Sequence, residues 1–392
     1  MKPFVKKINR GIAFILFMAM FFVPGRMECF AEESKPQLLS ESYVLMEAST
    51  GTVLHEKDMH KVLPPASITK IMTLLLIYEA LEEGTITKET IVTTTEHAAG
   101  MGGSQVYLES GEQQTVETLI KCISISSAND ACVAMAEHLA GTEEAFVDEM
   151  NKKAKELGMN DTHFVNCCGL DVDGHVSSAY DIALMSAELM SRFPDIMTYT
   201  TTRIDSMIHN TNKGSSEFGL TNTNKLISSY EGITGLKTGS TSKARYCLSA
   251  TATRNDINMI AVVLSAPDTK TRFKEAATLL NYGFSKCKIY MDTHEDMEPI
   301  KVPVENSMDM EAELVPEKEF KYVSVNKDDL EQITEEIIVF EKITAPVTKG
   351  DELGTIIYSL AGKEIGRISL LAKEDVAEAT YKDYLKRIFD YF

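Results

Sequence analysis

The sequence predicts an α+β protein. An antiparallel-rich sheet flanked by helices is followed by a small all-β domain and a C-terminal amphipathic helix. Three observations carry this reading. Between residues 35 and 290, helix-period and strand-period segments mix without the regular alternation that builds parallel sheets. From residue 291 to 371, short β-prone runs separated by turn signals dominate. Over 372–392 an apolar stripe returns at helical spacing.

Met1–Ala31 reads as a secretory signal. Lys2, Lys6, Lys7 and Arg10 form a basic start, and Ile12–Val23 is an apolar run too short to span a bilayer comfortably. Pro24-Gly25 breaks it, and Cys29-Phe30-Ala31 offers small residues for cleavage. An uncleaved anchor is the alternative. The formal charge is −19. It becomes more negative once this basic segment is removed, which argues against nucleic acid as a partner.

Ser42–Leu45 and Thr52–Leu54 read as a hairpin around Ala48–Gly51. Pro64-Pro65 and Glu82-Glu83-Gly84 then bracket a helix that is apolar on nearly every side, hence buried. Val116–Ile123 and Ala128–Leu139 are helical, with a polar loop, Ser124–Asp130, between them. Helices are also expected over Glu144–Leu157 and Ala179–Phe193. Leu236–Lys237, Arg245–Thr253 and Asn258–Leu264 read as adjacent strands with helix Thr271–Phe284 packed on them.

In the β domain the strands are Lys321–Val325, Ile333–Val339, Thr355–Ser359 and Glu364–Leu370. At the C-terminus Ala377, Tyr381, Tyr384, Leu385, Ile388, Phe389 and Phe392 share a helical face. Lys382, Lys386 and Arg387 favour contact with a membrane surface, and Asp383 and Asp390 dilute that charge. Docking on its own domain is the equal alternative.

The chemistry centres on the buried helix. Ser67 and Lys70 lie three apart near its start and share a face. A serine hydroxyl is a weak nucleophile until a base takes its proton, and a lysine is that base only when neutral. Burial and a second nearby cation both push a lysine in that direction. Ser-x-x-Lys recurs at Ser240–Lys243, Ser285–Lys288 and Ser324–Lys327, but none of those opens a long apolar helix.

Six cysteines lie beyond the signal: Cys122, Cys132, Cys167, Cys168, Cys247 and Cys287. They read as free buried thiols. There is no Cys-x-x-Cys and no His-Glu-x-x-His, so neither zinc nor any other cofactor is expected. No histidine is assigned to catalysis.

Two further short motifs follow Ser67 in order, Ser127-Ala128-Asn129 and Lys237-Thr238-Gly239. Ser-x-x-Lys, Ser-x-Asn and Lys-Thr-Gly together form a signature of penicillin-binding proteins and class A β-lactamases. From Ser40 onward the chain resembles the low-molecular-mass penicillin-binding proteins of the D-alanyl-D-alanine carboxypeptidase family, serine peptidase family S11. Asn166–Asp171, Asn222–Leu226 and Gly235–Thr241 add to the likeness.

The resemblance implies a β-lactamase/penicillin-binding-protein-like fold. It also implies that Ser67 attacks the carbonyl between two D-alanines, with Lys70 as base and Ser127 as proton relay. Asn129 would hold the substrate amide, and Lys237 and Thr238 its terminal carboxylate. Gly239 would let the strand approach the ligand, and the N–H groups of Ser67 and Ser240 would form the oxyanion hole. The implied partners are peptidoglycan peptides ending in D-Ala-D-Ala, with β-lactams as inhibitors. The implied location is the outer face of the cytoplasmic membrane or the cell wall.

Ala128 and the Cys167-Cys168 pair depart from the usual pattern of that family. Arg245 is a further cation to which no role in carboxylate binding is assigned. Taken singly, each motif has a plain structural reading: Ser127 and Asn129 as helix caps, Lys237 as a solvated edge-strand lysine. A class A-like β-lactamase would need a deacylating carboxylate in a Glu-x-x-Leu-Asn pattern, and Glu217–Thr221 matches it poorly. A non-catalytic wall-binding protein should have lost Ser67, Lys70 or Lys237.

Overall fold

A computed structural model describes residues 36–325 and 328–390. The secretory signal expected over 1–31 lies outside the described residues. The chain divides into two compact units, residues 33–287 and 288–392 apart from the extreme N-terminus.

The first unit opens with β1 (Ser42–Glu47) and β2 (Thr52–Lys57), followed by the long helix α1 (Lys70–Glu82). Short elements come next: β3 (Ile91–Thr93), α2 (Glu96–Ala99), β4 (Gln113–Thr115) and α3 (Val116–Lys121). Then come α4 (Asn129–Ala140), α5 (Glu143–Glu156), α6 (Ala179–Arg192) and α7 (Met197–Thr200). A hairpin of β5 (Ile204–Thr211) and β6 (Gly214–Thr221) precedes β7 (Ile233–Thr241), β8 (Arg245–Arg254), β9 (Ile257–Ala266) and α8 (Thr269–Lys286).

The main sheet runs β2-β1-β9-β8-β7, antiparallel throughout, with β7 at one edge. Its two faces are covered by different helices. Ser186 of α6 reaches Ser249, which pairs with Val262. Gly283 of α8 lies against Leu45 and Met259, on the alternate positions. That double cover is why β9 reads Ile-Ala-Val-Val-Leu without alternation. Thr115, Thr142, Ser178 and Asp268 cap α3, α5, α6 and α8 through their side-chain oxygens, so each helix starts where a short polar residue precedes an amphipathic run.

The hairpin β5–β6 is not anticipated from the sequence. Its strands are rich in Ser, Asn, Thr and Gly and mostly solvent-facing, so the apolar alternation that marks a strand is missing.

The second unit is β-rich. Two strands pair separately, β10 (Lys288–Asp292) with β13 (Phe320–Ser324). The larger sheet holds β11 (Ile300–Glu305), β12 (Glu311–Pro316), β14 (Ile333–Val339), β15 (Ile343–Thr344), β16 (Glu352–Leu360) and β17 (Lys363–Ala372), in the order β14-β16-β17-β12-β11-β15. Phe320 of β13 stacks on Tyr358 of β16 with ring centroids 3.7 Å apart. Among the described residues the terminal helix α9 spans Tyr381–Asp390, so it starts at Tyr381 rather than at 372. Val376 bridges Val347 and keeps the preceding chain extended. Asp383 then accepts from the Thr380 N–H at 2.8 Å and starts the helix at the next residue.

Candidate active site

Ser67 sits on a single 3₁₀ turn, Ala66–Thr69, that leads straight into α1. Ala66 has φ +51°, a left-handed conformation that costs an L residue about 1–2 kcal/mol. The surroundings hold it there. A Cβ added at Gly169 would stand 1.9 Å from the Ala66 carbonyl oxygen, and φ is +86° at that glycine. A Cβ at Gly239 would come within 3.0 Å of Ala66 Cβ, Pro65 O and Ser67 N. Below the turn, His175 Nδ1 accepts from the Val165 N–H at 3.0 Å, and its Nε2 meets Thr69 Oγ1 at 2.8 Å. Thr69 in turn donates to Ala66 O at 2.8 Å. Burial lowers the His175 pKa to about 4, so the ring stays neutral in this role. We expect Gly169→Ala to cost about 2–4 kcal/mol of stability, from overpacking plus the left-handed φ, and to abolish penicillin labelling. Urea unfolding and fluorescent penicillin read the two effects. A variant that unfolds and labels like wild type would mean the turn relaxes freely.

Lys70 opens α1 and is fully buried. Its three N–H donors find three acceptors: Ser67 Oγ at 3.1 Å, Asn129 Oδ1 at 2.6 Å and the Cys168 carbonyl at 2.7 Å. Each acceptor is itself fixed. Asn129 donates its main-chain N–H to Ser104 O and its Nδ2 to Gly102 O, both at 2.7 Å. The Cys168 loop is cinched by Asn166 Oδ1, which accepts from the N–H groups of Cys168, Gly169 and Leu170. Thr73 Oγ1 donates to the Cys167 carbonyl at 2.6 Å and ties that loop to α1.

Ser127 follows a π-helical turn, Cys122–Ser126, in a left-handed conformation with φ +62° and ψ +33°. Its hydroxyl is buried and has no hydrogen-bond partner among the described residues. Neither Ser127 nor Asn129 caps α4 with its side chain; the cap position is Ala128, whose methyl group offers no hydrogen-bond acceptor. The capping explanation of this motif therefore fails. A buried hydroxyl without a partner is costly unless a ligand supplies one.

Lys237 lies on the edge strand β7 yet is 1% exposed, so it is no solvated lysine. It pairs across the ladder with Ser249, so Lys237 and Gly239 share the sheet face that α6 and the Ser67 turn cover. Its ammonium donates to the Thr238 carbonyl at 3.3 Å, and no carboxylate pairs with it among the described residues. Burial first, then the charge of Lys70, holds its pKa well below the ordinary lysine range. Thr238 Oγ1 donates to Thr223 Oγ1 at 2.7 Å.

An arginine does reach β7, but it is Arg272 of α8. Arg245 faces solvent and pairs with Glu41. Arg272 donates to the carbonyls of Gly239 at 2.9 Å and Cys247 at 3.2 Å. Across a trans peptide the carbonyl and the next N–H point in opposite directions. The Ser240 N–H is thereby held on the side away from Arg272.

The fold brings Ser67, Lys70 and Asn129 into direct contact and sets Gly239 against the Ser67 turn. It adds groups that the motifs do not contain: the Cys168 carbonyl, Gly169, His175 and Arg272. Cys168 and Gly169 lie in the Asn166–Asp171 segment, whose asparagine and glycine were a visible signal. Arg272 and His175 carried none, because their partners are backbone atoms and a threonine far away in sequence.

Residues 30–268 match the D-alanyl-D-alanine carboxypeptidase family, and residues 292–378 match the family of the penicillin-binding protein 5 C-terminal domain. The chain is 40% identical to D-alanyl-D-alanine carboxypeptidase DacF of Bacillus subtilis (strain 168), over 99% of this chain and 98% of that one. It is similar to penicillin binding protein 5 from Haemophilus influenzae, with a TM-score of 0.66 and 29% identity over 88% of this chain and 99% of that one. Penicillin-Binding Protein D2 from Listeria monocytogenes, in its ampicillin-bound form, aligns with a TM-score of 0.56 and 33% identity over 63% of this chain and 98% of that one. On its sequence over nearly its whole length and on the architecture that surrounds Ser67, the chain belongs to the D-alanyl-D-alanine carboxypeptidase family.

Proposed function

We propose that the chain is a serine-type D-Ala-D-Ala carboxypeptidase that releases the terminal D-alanine of peptidoglycan pentapeptides through a Ser67 acyl-enzyme, and that β-lactams acylate the same serine. The observation that carries this is the buried Lys70 amino group 3.1 Å from Ser67 Oγ, with a second buried lysine, Lys237, whose amino group has no carboxylate partner among the described residues. Lys70 takes the Ser67 proton as the hydroxyl attacks the peptide carbonyl. The N–H groups of Ser67 and Ser240 receive the developing oxyanion. Ser127 passes a proton to the leaving amine. Lys237 and Thr238 bind the carboxylate of the departing D-alanine, and Gly239 leaves room for the peptide to lie along β7. Asn129 borders the substrate amide while orienting Lys70.

Incubation with a pentapeptide ending in D-Ala-D-Ala should release D-alanine with turnover, while the penicilloyl-enzyme persists for minutes or longer. Rapid hydrolysis of penicillin without D-alanine release would instead assign a β-lactamase. Against that alternative, Glu217 stands exposed on the β5–β6 hairpin, far from the role of a buried deacylating base.

The terminal helix supports a place at the outer face of the cytoplasmic membrane. No helix among the described residues is long and apolar enough to cross a bilayer. On α9, however, Tyr381, Tyr384, Leu385, Ile388 and Phe389 are all exposed, and Tyr381 and Phe389 are more than three-quarters so. Side chains of this kind belong in an interface rather than in water. A chain ending at Ala379, just before α9, should lose sedimentation with anionic lipid vesicles and keep its penicillin labelling. If the longer chain never sediments with lipid, the stripe has another use.

A further inference from the structure

The two adjacent cysteines of the Lys70 loop meet a carboxylate from a different element. Glu143 is the first residue of α5, and its Oε1 accepts from the Cys167 N–H at 2.9 Å. One carboxylate oxygen of Glu143 and the sulfurs of Cys167 and Cys168 all lie within 4.8 Å of one another. Both thiols are buried and free. Glu143 is the route outward: its side chain is 13% exposed, and the half-exposed His97 brings Nε2 to 3.7 Å from its second oxygen.

We propose that Glu143, Cys167 and Cys168 form an inhibitory binding site for a thiophilic divalent cation of the zinc and cadmium class. Two sulfurs and one oxygen suit such an ion and disfavour calcium or magnesium, which take oxygen ligands. Sulfurs about 2.3 Å from a tetrahedral ion sit just under 4 Å apart, and the two sulfurs here already lie within 4.8 Å of each other. The fourth position is left to water or to His97. On binding, each cysteine forms a sulfur–metal bond and gives up its thiol proton to solvent, two protons per ion.

The site is coupled to acylation through the backbone. The Cys168 carbonyl is one of the three acceptors of Lys70, and the Cys167 carbonyl is bound by Thr73. Drawing both sulfurs onto an ion moves the loop that holds the Lys70 ammonium against Ser67. Residues one step behind a reacting group commonly change its performance about 10–100-fold when disturbed, and a fall of that size is expected here. The inhibitory consequence rests on the role proposed for Lys70; the metal site does not.

The test uses the mature full chain, stripped with chelator and titrated with cadmium chloride. The ultraviolet thiolate-to-cadmium charge-transfer band should saturate at one equivalent. Acylation by fluorescent penicillin should slow over the same titration and recover on adding chelator. Cys167→Ser should lose the band and the cadmium sensitivity while acylating at its metal-free rate. Cys132→Ser should keep the band. Absence of the band, or its survival in Cys167→Ser, overturns the site. A full band with unchanged acylation overturns the coupling. The band reads the site even if Ser67 proves not to be the acylated residue.

Discussion

Alanine at Ser67 should remove covalent penicillin labelling entirely, and arginine at Lys70 should slow it by about 10²–10⁴-fold, the usual worth of a general base. The first outcome follows from having one nucleophile. Of the other Ser-x-x-Lys pairs, Ser240–Lys243 has a lysine that is 57% exposed and paired with Asp173, and none opens a buried helix. The second follows from chemistry rather than charge. Arginine keeps a cation at the position but does not deprotonate in a protein. It is also larger than the lysine in a fully enclosed pocket, so packing must be separated from basicity. Lys70→Met, close to lysine in volume and uncharged, serves that purpose. If it folds with the wild-type melting temperature and acylates as slowly as the arginine variant, the missing function is the base. Labelling retained by Ser67→Ala, or near-normal rates in both Lys70 variants, refutes the assignment.

Much of this site was legible in the sequence because its chemistry is concentrated in short motifs. Ser67 and Lys70 stood out as the polar residues at the head of an apolar helix, and α1 is buried as that pattern requires. The strand group β7–β9 and the helix packed on it follow from apolar runs bounded by turn residues. What escaped was contact made through the backbone. Nothing in the sequence shows that the Cys168 carbonyl reaches Lys70, or that Arg272 binds the carbonyl of Gly239. Main-chain atoms are the same at every position, so only the fold reveals which of them are used. The hydroxyl of Ser127 illustrates the reverse case. Its sequence context allowed a helix cap, and the structure leaves its hydroxyl buried without a partner among the described residues. The residue violates a local rule for buried polar groups, as functional residues often do.

Replacing Lys237 by methionine should lower D-alanine release about 10- to 150-fold while leaving the protein as stable as wild type or more so. The loss is that of one charge-assisted contact to the substrate carboxylate, roughly 1.5–3 kcal/mol. The stability result comes from the surroundings of the lysine. Its charge is buried, lies within reach of Lys70 and Arg272, and meets no carboxylate among the described residues. A cation in that position weakens the fold, and an apolar side chain of similar volume relieves it. The sign for protons follows from the same geometry. Burial favours the neutral amine in the free protein, and the folded-state pKa lies below that of the unfolded chain. Folding is therefore opposed by protonation of this group, and that opposition eases as pH rises toward the ordinary lysine range. A bound carboxylate shifts the balance the other way and favours the ammonium. Between the free and bound pKa values, binding of a D-Ala-D-Ala peptide should draw a proton from solution. Calorimetry on the Ser67→Ala variant, in buffers of different ionisation enthalpy, reads that uptake directly, and Lys237→Met in the same background should abolish it. If the methionine variant unfolds at much lower temperature and binds the peptide carboxylate as well as before, Lys237 is a structural residue and the carboxylate site lies elsewhere.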